Sequence, residues 1–204
     1  MNSTSLYYIH DPMCSWCWGF EKTWQQLQLR LKDQISIQYV LGGLAPDSHE
    51  IMPDEMRHYI QKNWQKIEKT IPGTQFNYDF WEKCSPIRST YPACRAVIAA
   101  KNQAEKFEKI IINTIQKAYY LQAQNPSEPL TLIKLATSIG LDRQQFIRDL
   151  NSNATQLQLD QDIVLSKSLG ANGFPSLVLV KNGIHQVIQI DYSNPETILN
   201  QIFT

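Results

Sequence analysis

Cysteine is scarce, with four thiols in 204 residues. That is too few for a fold held together by disulfides. An excess of either charge is also missing. Nineteen Lys plus Arg balance nineteen Asp plus Glu, so neither nucleic acid nor an anionic membrane surface is an expected partner. No stretch approaches the roughly 18 apolar residues that mark a membrane span. The opening MNSTSLYYIHDP has no basic start and no long apolar centre, and the expectation is a protein that stays in the cytoplasm. Metal-binding spacing is absent too. His10, His49, His58 and His185 form no short pair, and Cys84 and Cys94 stand apart, so no metal is expected. What remains is 43% apolar and 19% charged, the composition of one ordinary globular domain or of one domain carrying an insertion.

Against that background, Cys14-Ser15-Trp16-Cys17 stands out. Positions i and i+3 of a helix share a face, so two thiols at this spacing can close a disulfide with each other. A helix N-terminus presents unpaired N–H groups and a partial positive charge, a field that favours thiolate over thiol. Cys14, at the helix end, is the expected nucleophile and the more exposed thiol. Cys17, one turn in, is the expected resolving thiol. Read alone, such a pair is also compatible with half a zinc site or with two inert core cysteines.

The chain pattern places the pair. Ser5–His10 reads as a strand, ended by Asp11-Pro12. Residues 14–32 have helical spacing, and Ile35–Leu41 reads as a second strand stopped by Gly42-Gly43. This is a βαβ unit with parallel strands. From Pro53 to Asn151 the pattern is helical throughout, with Asp142 as an N-cap. Ala154–Leu169 is one more helix, with Gly170 at its C-terminal end. Ser176–Lys181 and His185–Ile190 flank Asn182-Gly183, a hairpin signature. Asn194-Pro195 caps a last helix over Glu196–Ile202. The expected fold is α/β: a thioredoxin-like βαβ…αββα core over residues 1–50 and 154–204, interrupted by an all-helical insertion over 51–153.

On DPMCSWCWG after the first strand, GFPSLVL before the third, and the helical insertion, the chain resembles the DsbA-like thiol:disulfide oxidoreductases. Trp16, Trp18 and the lack of a leader look more like the cytoplasmic branch related to FrnE. The same superfamily holds 2-hydroxychromene-2-carboxylate isomerases and kappa-class glutathione transferases, which carry serine at the position of Cys14. The resemblance implies dithiol–disulfide exchange with protein or low-molecular-weight thiols. No cofactor is implied beyond glutathione as co-substrate. It also implies a cis peptide between Phe174 and Pro175, facing the thiols and exposing the Phe174 backbone to a bound peptide. The dipeptide Ser15-Trp16 differs from the Pro-His of strongly oxidising members, so a strong-oxidant potential is not carried over.

Other residues keep two readings each. Trp16 offers substrate an apolar face, whereas Trp18 packs beneath the helix. Asp11 either handles protons for Cys17 or caps the helix and shapes the turn. His10 either stabilises a thiolate when charged or is structural. Cys84 and Cys94 are either an accessory redox pair or packing residues. Arg88 either binds a carboxylate, such as that of glutathione, or is a surface ion-pair partner. A glutathione-dependent isomerase or transferase and a non-catalytic redox sensor are the competing functions.

Overall fold

The structure is a computed structural model that describes residues 4–204. Strand β1 (Thr4–His10) leads into helix α1 (Ser15–Leu31), and β2 (Ser36–Leu41) follows. Near the C-terminus, β3 (Ser176–Lys181) and β4 (Ile184–Ile188) form a hairpin before the last helix, Pro195–Phe203. The strands lie in the order β2-β1-β3-β4. β2 is parallel to β1, and the other two pairings are antiparallel.

Period-two alternation explains the two faces of this sheet. Leu6 and Tyr8 of β1 join Leu177 and Leu179 of β3 on one face, against Phe20, Trp24, Leu27 and Leu31 of α1. Those four α1 residues recur every three or four positions, so they form one buried stripe. Ile9, Val40 and Val178 pack on the other face with Leu169. The β3–β4 turn has positive φ at Asn182 (54°) and Gly183 (78°), the primed geometry that matches strand twist. β4 stops at Ile188 rather than running on to Ile190. The reason is a side chain: Gln201 accepts from Gln189 N at 2.8 Å and donates to Gln189 O at 3.0 Å. The backbone groups of Gln189 are thus taken from the ladder.

Between β2 and β3 lie α2 (Asp54–Thr70), α3 (Phe80–Lys83), α4 (Tyr91–Gln103), α5 (Phe107–Gln122), α6 (Pro129–Ser138), α7 (Arg143–Leu150) and α8 (Asn153–Ser168). The helical run from Ala93 to Gln122 is two helices, because Ala104 is extended (φ −166°). Folding back lets the alanine-rich stripe of α4 and Ile111 and Ile115 of α5 share one core, which a continuous rod would forbid. Side-chain caps set other starts. Asp142, Ser152 and Asn194 accept from Gln145 N, Thr155 N and Glu196 N. A second, aromatic core gathers Trp64, Phe76, Phe80, Trp81, Tyr119 and Tyr120. Among the described residues, no helix is long and apolar enough to cross a membrane.

Candidate active site

Cys14 is the N-cap residue of α1, in extended conformation, and its carbonyl accepts from Trp18 N at 3.1 Å. Cys17 lies one turn along the same helix. Both thiols are free. Cys14 is the more exposed, as expected, but only slightly: 6% against 0% for Cys17. Burial, with the Cys14 thiol beside it, pushes the Cys17 thiol well above the ordinary cysteine range. The Phe174–Pro175 peptide is cis, and Cys14 Sγ donates to Phe174 O at 3.3 Å. The loop before β3 therefore faces the first thiol across a cleft.

That cleft has a volume of about 520 Å³. Its lining includes Cys14, Trp16, Gly42, Trp64, Arg88, Tyr119, Lys167 and Phe174. Gly42 is a site residue that the sequence marked only as the end of a strand. A Cβ there would stand 2.0 Å from the Phe174 ring, so glycine is what lets that ring seat. Gly42→Ala is expected to displace Phe174 and to cost about 1–3 kcal/mol by overpacking. Gly173→Ala, whose Cβ meets nothing within 4 Å, is the matched control. Urea denaturation of both variants checks this, and equal midpoints would contradict it.

Asp11 does not cap α1. Its fully buried carboxylate accepts from Met13 N (2.8 Å), Leu44 N (2.8 Å), Thr90 Oγ1 (2.7 Å) and Cys94 Sγ (3.4 Å). It is a turn-maker that also ties the β1–α1 loop to the β2–α2 loop and to the start of α4. Burial raises its carboxyl above the usual range, against the opposing effect of these donors. His10 corrects the idea of a charged thiolate partner. It is fully buried, and desolvation pushes it down to about 3, so it is neutral. Its ring stacks on Tyr8 with centroids 5.0 Å apart, and neither ring nitrogen finds a partner among the described residues.

Trp16 is half-buried, 5.3 Å from the Tyr192 ring, with Lys66 Nζ 5.8 Å above it. Trp18 stacks on Tyr120 at 5.6 Å, within the aromatic core. Cys84 and Cys94 belong to different cores and bond different partners: Cys84 Sγ donates to Ala123 O at 3.2 Å, whereas Cys94 meets Asp11. They form no pair. Arg88 lines the cleft, and its guanidinium contacts Met56 Sδ at 3.3 Å. The surface ion pair belongs instead to Arg95, bidentate to Asp47 at 2.7 and 2.9 Å.

A four-stranded mixed sheet, a one-turn dithiol at the first helix and a cis-proline loop against it define a DsbA-like protein of thioredoxin fold. The chain belongs to the thioredoxin family, whose model, described as Thioredoxin, matches residues 7–201. Among solved structures it is similar to a "putative protein disulfide isomerase" from Nitrosomonas europaea. The TM-score is 0.85 at 26% identity, over 98% of this chain and 96% of that one. It is also similar to the cytosolic disulfide reductase DsbM from Pseudomonas aeruginosa, a protein also solved with GSH. That TM-score is 0.75 at 23% identity, over 91% and 89% of the two chains, a likeness that speaks to the fold. Among curated proteins, the ClpXP adapter protein SpxH from Halalkalibacterium halodurans is 25% identical, over 89% of this chain and 60% of that one. The SpxH of Bacillus subtilis is 22% identical, over 84% and 56%. The chain spans less than two thirds of the length of these curated relatives.

Proposed function

We propose that the protein is a cytoplasmic thiol:disulfide oxidoreductase in which Cys14 and Cys17 exchange with disulfides of protein or low-molecular-weight substrates. One observation carries this reading: two free thiols one turn apart at the start of α1, the first facing Phe174 O inside an open cleft. The Cys14 thiolate attacks one sulfur of a substrate disulfide. A Cys14–substrate bond forms, the substrate S–S bond breaks, and one substrate thiolate leaves. Cys17 then gives up its proton and attacks Cys14 Sγ, closing the Cys14–Cys17 disulfide and releasing the second thiolate. Two electrons pass from the protein dithiol to the substrate, and the released thiolates take up protons. The reverse sequence oxidises a substrate dithiol. No metal or organic cofactor enters these steps, and glutathione serves as a thiol partner.

Burial of Cys17 makes loss of its proton the demanding part of resolution. Removing that thiol halts the reaction at the mixed disulfide. Cys17→Ala is expected to accumulate covalent adducts with disulfide-containing partners, each formed as one partner thiolate leaves, read by non-reducing gels and mass spectrometry. Cys14→Ala should accumulate none. Adducts at equal yield in both variants would end this reading.

A second reading rests on the curated relatives, which are named as adapter proteins. As an adapter, the protein would bind a protein partner without turning it over. Replacing both thiols by alanine would then leave partner affinity intact, whereas the exchange reading predicts its loss. A glutathione-dependent isomerase or transferase is disfavoured by Cys17, since activating a bound thiol needs no resolving group.

A further inference from the structure

The charged residues that line the cleft are of one sign. They are Arg88, just before α4, and Lys167 of α8, and no Asp or Glu is among the lining residues. The half-buried guanidinium of Arg88 makes no ion pair among the described residues. Its polar contact is the thioether of Met56, a weak acceptor. Two other residues that line the cleft, Ser89 and Trp64, have a polar side-chain atom, Oγ and Nε1, without a hydrogen-bond partner among the described residues, and both side chains are at most 1% exposed. An indole N–H can only donate, and a guanidinium offers five donors in a planar fork. Asp11, which accepts from the lining residue Thr90, is fully buried, and its oxygens are engaged by four donors. The hollow on the other flank of α1, about 460 Å³, differs: it sets Glu21 beside Lys22 and Lys117.

Buried donors without acceptors are unfavourable until a ligand supplies one. A carboxylate meets that need, since it accepts several bonds and fits the arginine fork. The volume also sets the size. About 520 Å³ lies within the roughly 300–1,000 Å³ of small-molecule sites. We propose that the cleft lining at Arg88 is a carboxylate-binding subsite that selects small anionic thiols and disulfides for the dithiol. The selection rests on the exchange reading above; the binding does not.

Three small disulfides that differ in charge test the selection: dithiodipropionate (anionic), hydroxyethyl disulfide (neutral) and cystamine (cationic). The readout is the ratio of kcat/KM for the anionic over the neutral disulfide. Arg88→Met should lower that ratio by about tenfold to a hundredfold, the loss expected for hydrogen bonds to a charged group. Arg88→Lys should fall between, keeping the charge and losing the fork. Lys22→Met, outside the cleft, should not move it. High salt should compress the wild-type ratio. A wild-type ratio near one, or a ratio that Arg88→Met does not change, overturns the proposal. Binding of thiodipropionate, a thioether that cannot exchange, provides an independent measure by calorimetry. Equal affinity in wild type and Arg88→Met also overturns it. Arg88-dependent binding without turnover of any disulfide would instead sink the exchange reading and leave the subsite standing.

Discussion

Asp11→Ala is expected to remove about 2–5 kcal/mol of folding stability, because three buried or part-buried donors lose their acceptor at once and each orphan costs roughly 1–3 kcal/mol. The donors are the N–H groups of Met13 and Leu44 and the hydroxyl of Thr90. Thr90 keeps one alternative acceptor, Ala45 O at 3.3 Å, so most of the loss falls on the two N–H groups. Asp11→Asn keeps the shape but puts an NH₂ group against one of these donors, so it should recover only part of the loss. Urea denaturation measures the effect. A second readout is local: Cys94, whose thiol rests on the same carboxylate, should react faster with an alkylating reagent in Asp11→Ala. A variant within about 0.5 kcal/mol of wild type, the range of ordinary surface substitutions, would show that the network does not hold the loops.

The second large effect is acid sensitivity from His10. In the unfolded chain this imidazole takes a proton near pH 6.5. In the folded protein it resists until about 3, because burial disfavours the charge. Between those values the unfolded state binds more protons, so stability rises with pH. The contribution is complete above about pH 6.5 and is lost progressively as pH falls toward 3. The loss is about 2 kcal/mol at pH 5. Asp11 opposes this trend, since its raised carboxyl gains a proton more readily in the folded state. The clean measurement is therefore a difference. His10→Phe retains a ring against Tyr8 and Tyr39 and has no proton to gain. Between pH 8 and pH 5 it should lose about 2 kcal/mol less than wild type does. Parallel losses in both proteins would refute the assignment.

Much of the architecture was legible in local chemistry. Apolar, β-prone runs with their stop signals marked the strands, Asn182-Gly183 marked the hairpin, and Asp142 and Asn194 marked helix starts through their side-chain caps. These signals act over a few residues, so a linear reading captures them. The Cys14-Ser15-Trp16-Cys17 motif was equally plain, since one helical turn is a local distance.

What stayed hidden is non-local. Nothing near Asp11 announces that Leu44, Thr90 and Cys94 converge on it from three later segments. Gly42 looked like a strand stop because the Phe174 ring against it arrives far downstream. His10 was ambiguous because its neutrality depends on burial beneath Tyr8 and Tyr39, a product of packing. The break at Ala104 has no local signal, because no Gly or Pro stands near it and Lys101, Gln103, Glu105 and Lys106 all favour a helix. The fold-back is set by burial of two apolar stripes, which outweighs propensity there.

The Cys14–Phe174 contact ties the loop's hydrogen bonding to the oxidation state of the sulfur. A sulfur joined to another sulfur has no hydrogen left to give. When Cys14 enters a disulfide, with a client or with Cys17, the Phe174 carbonyl is released and is open to an incoming amide. Reduction fills it again from within the protein. One acceptor is thus shared in turn by guest and host, and the gain or loss of a single hydrogen decides which of them holds it.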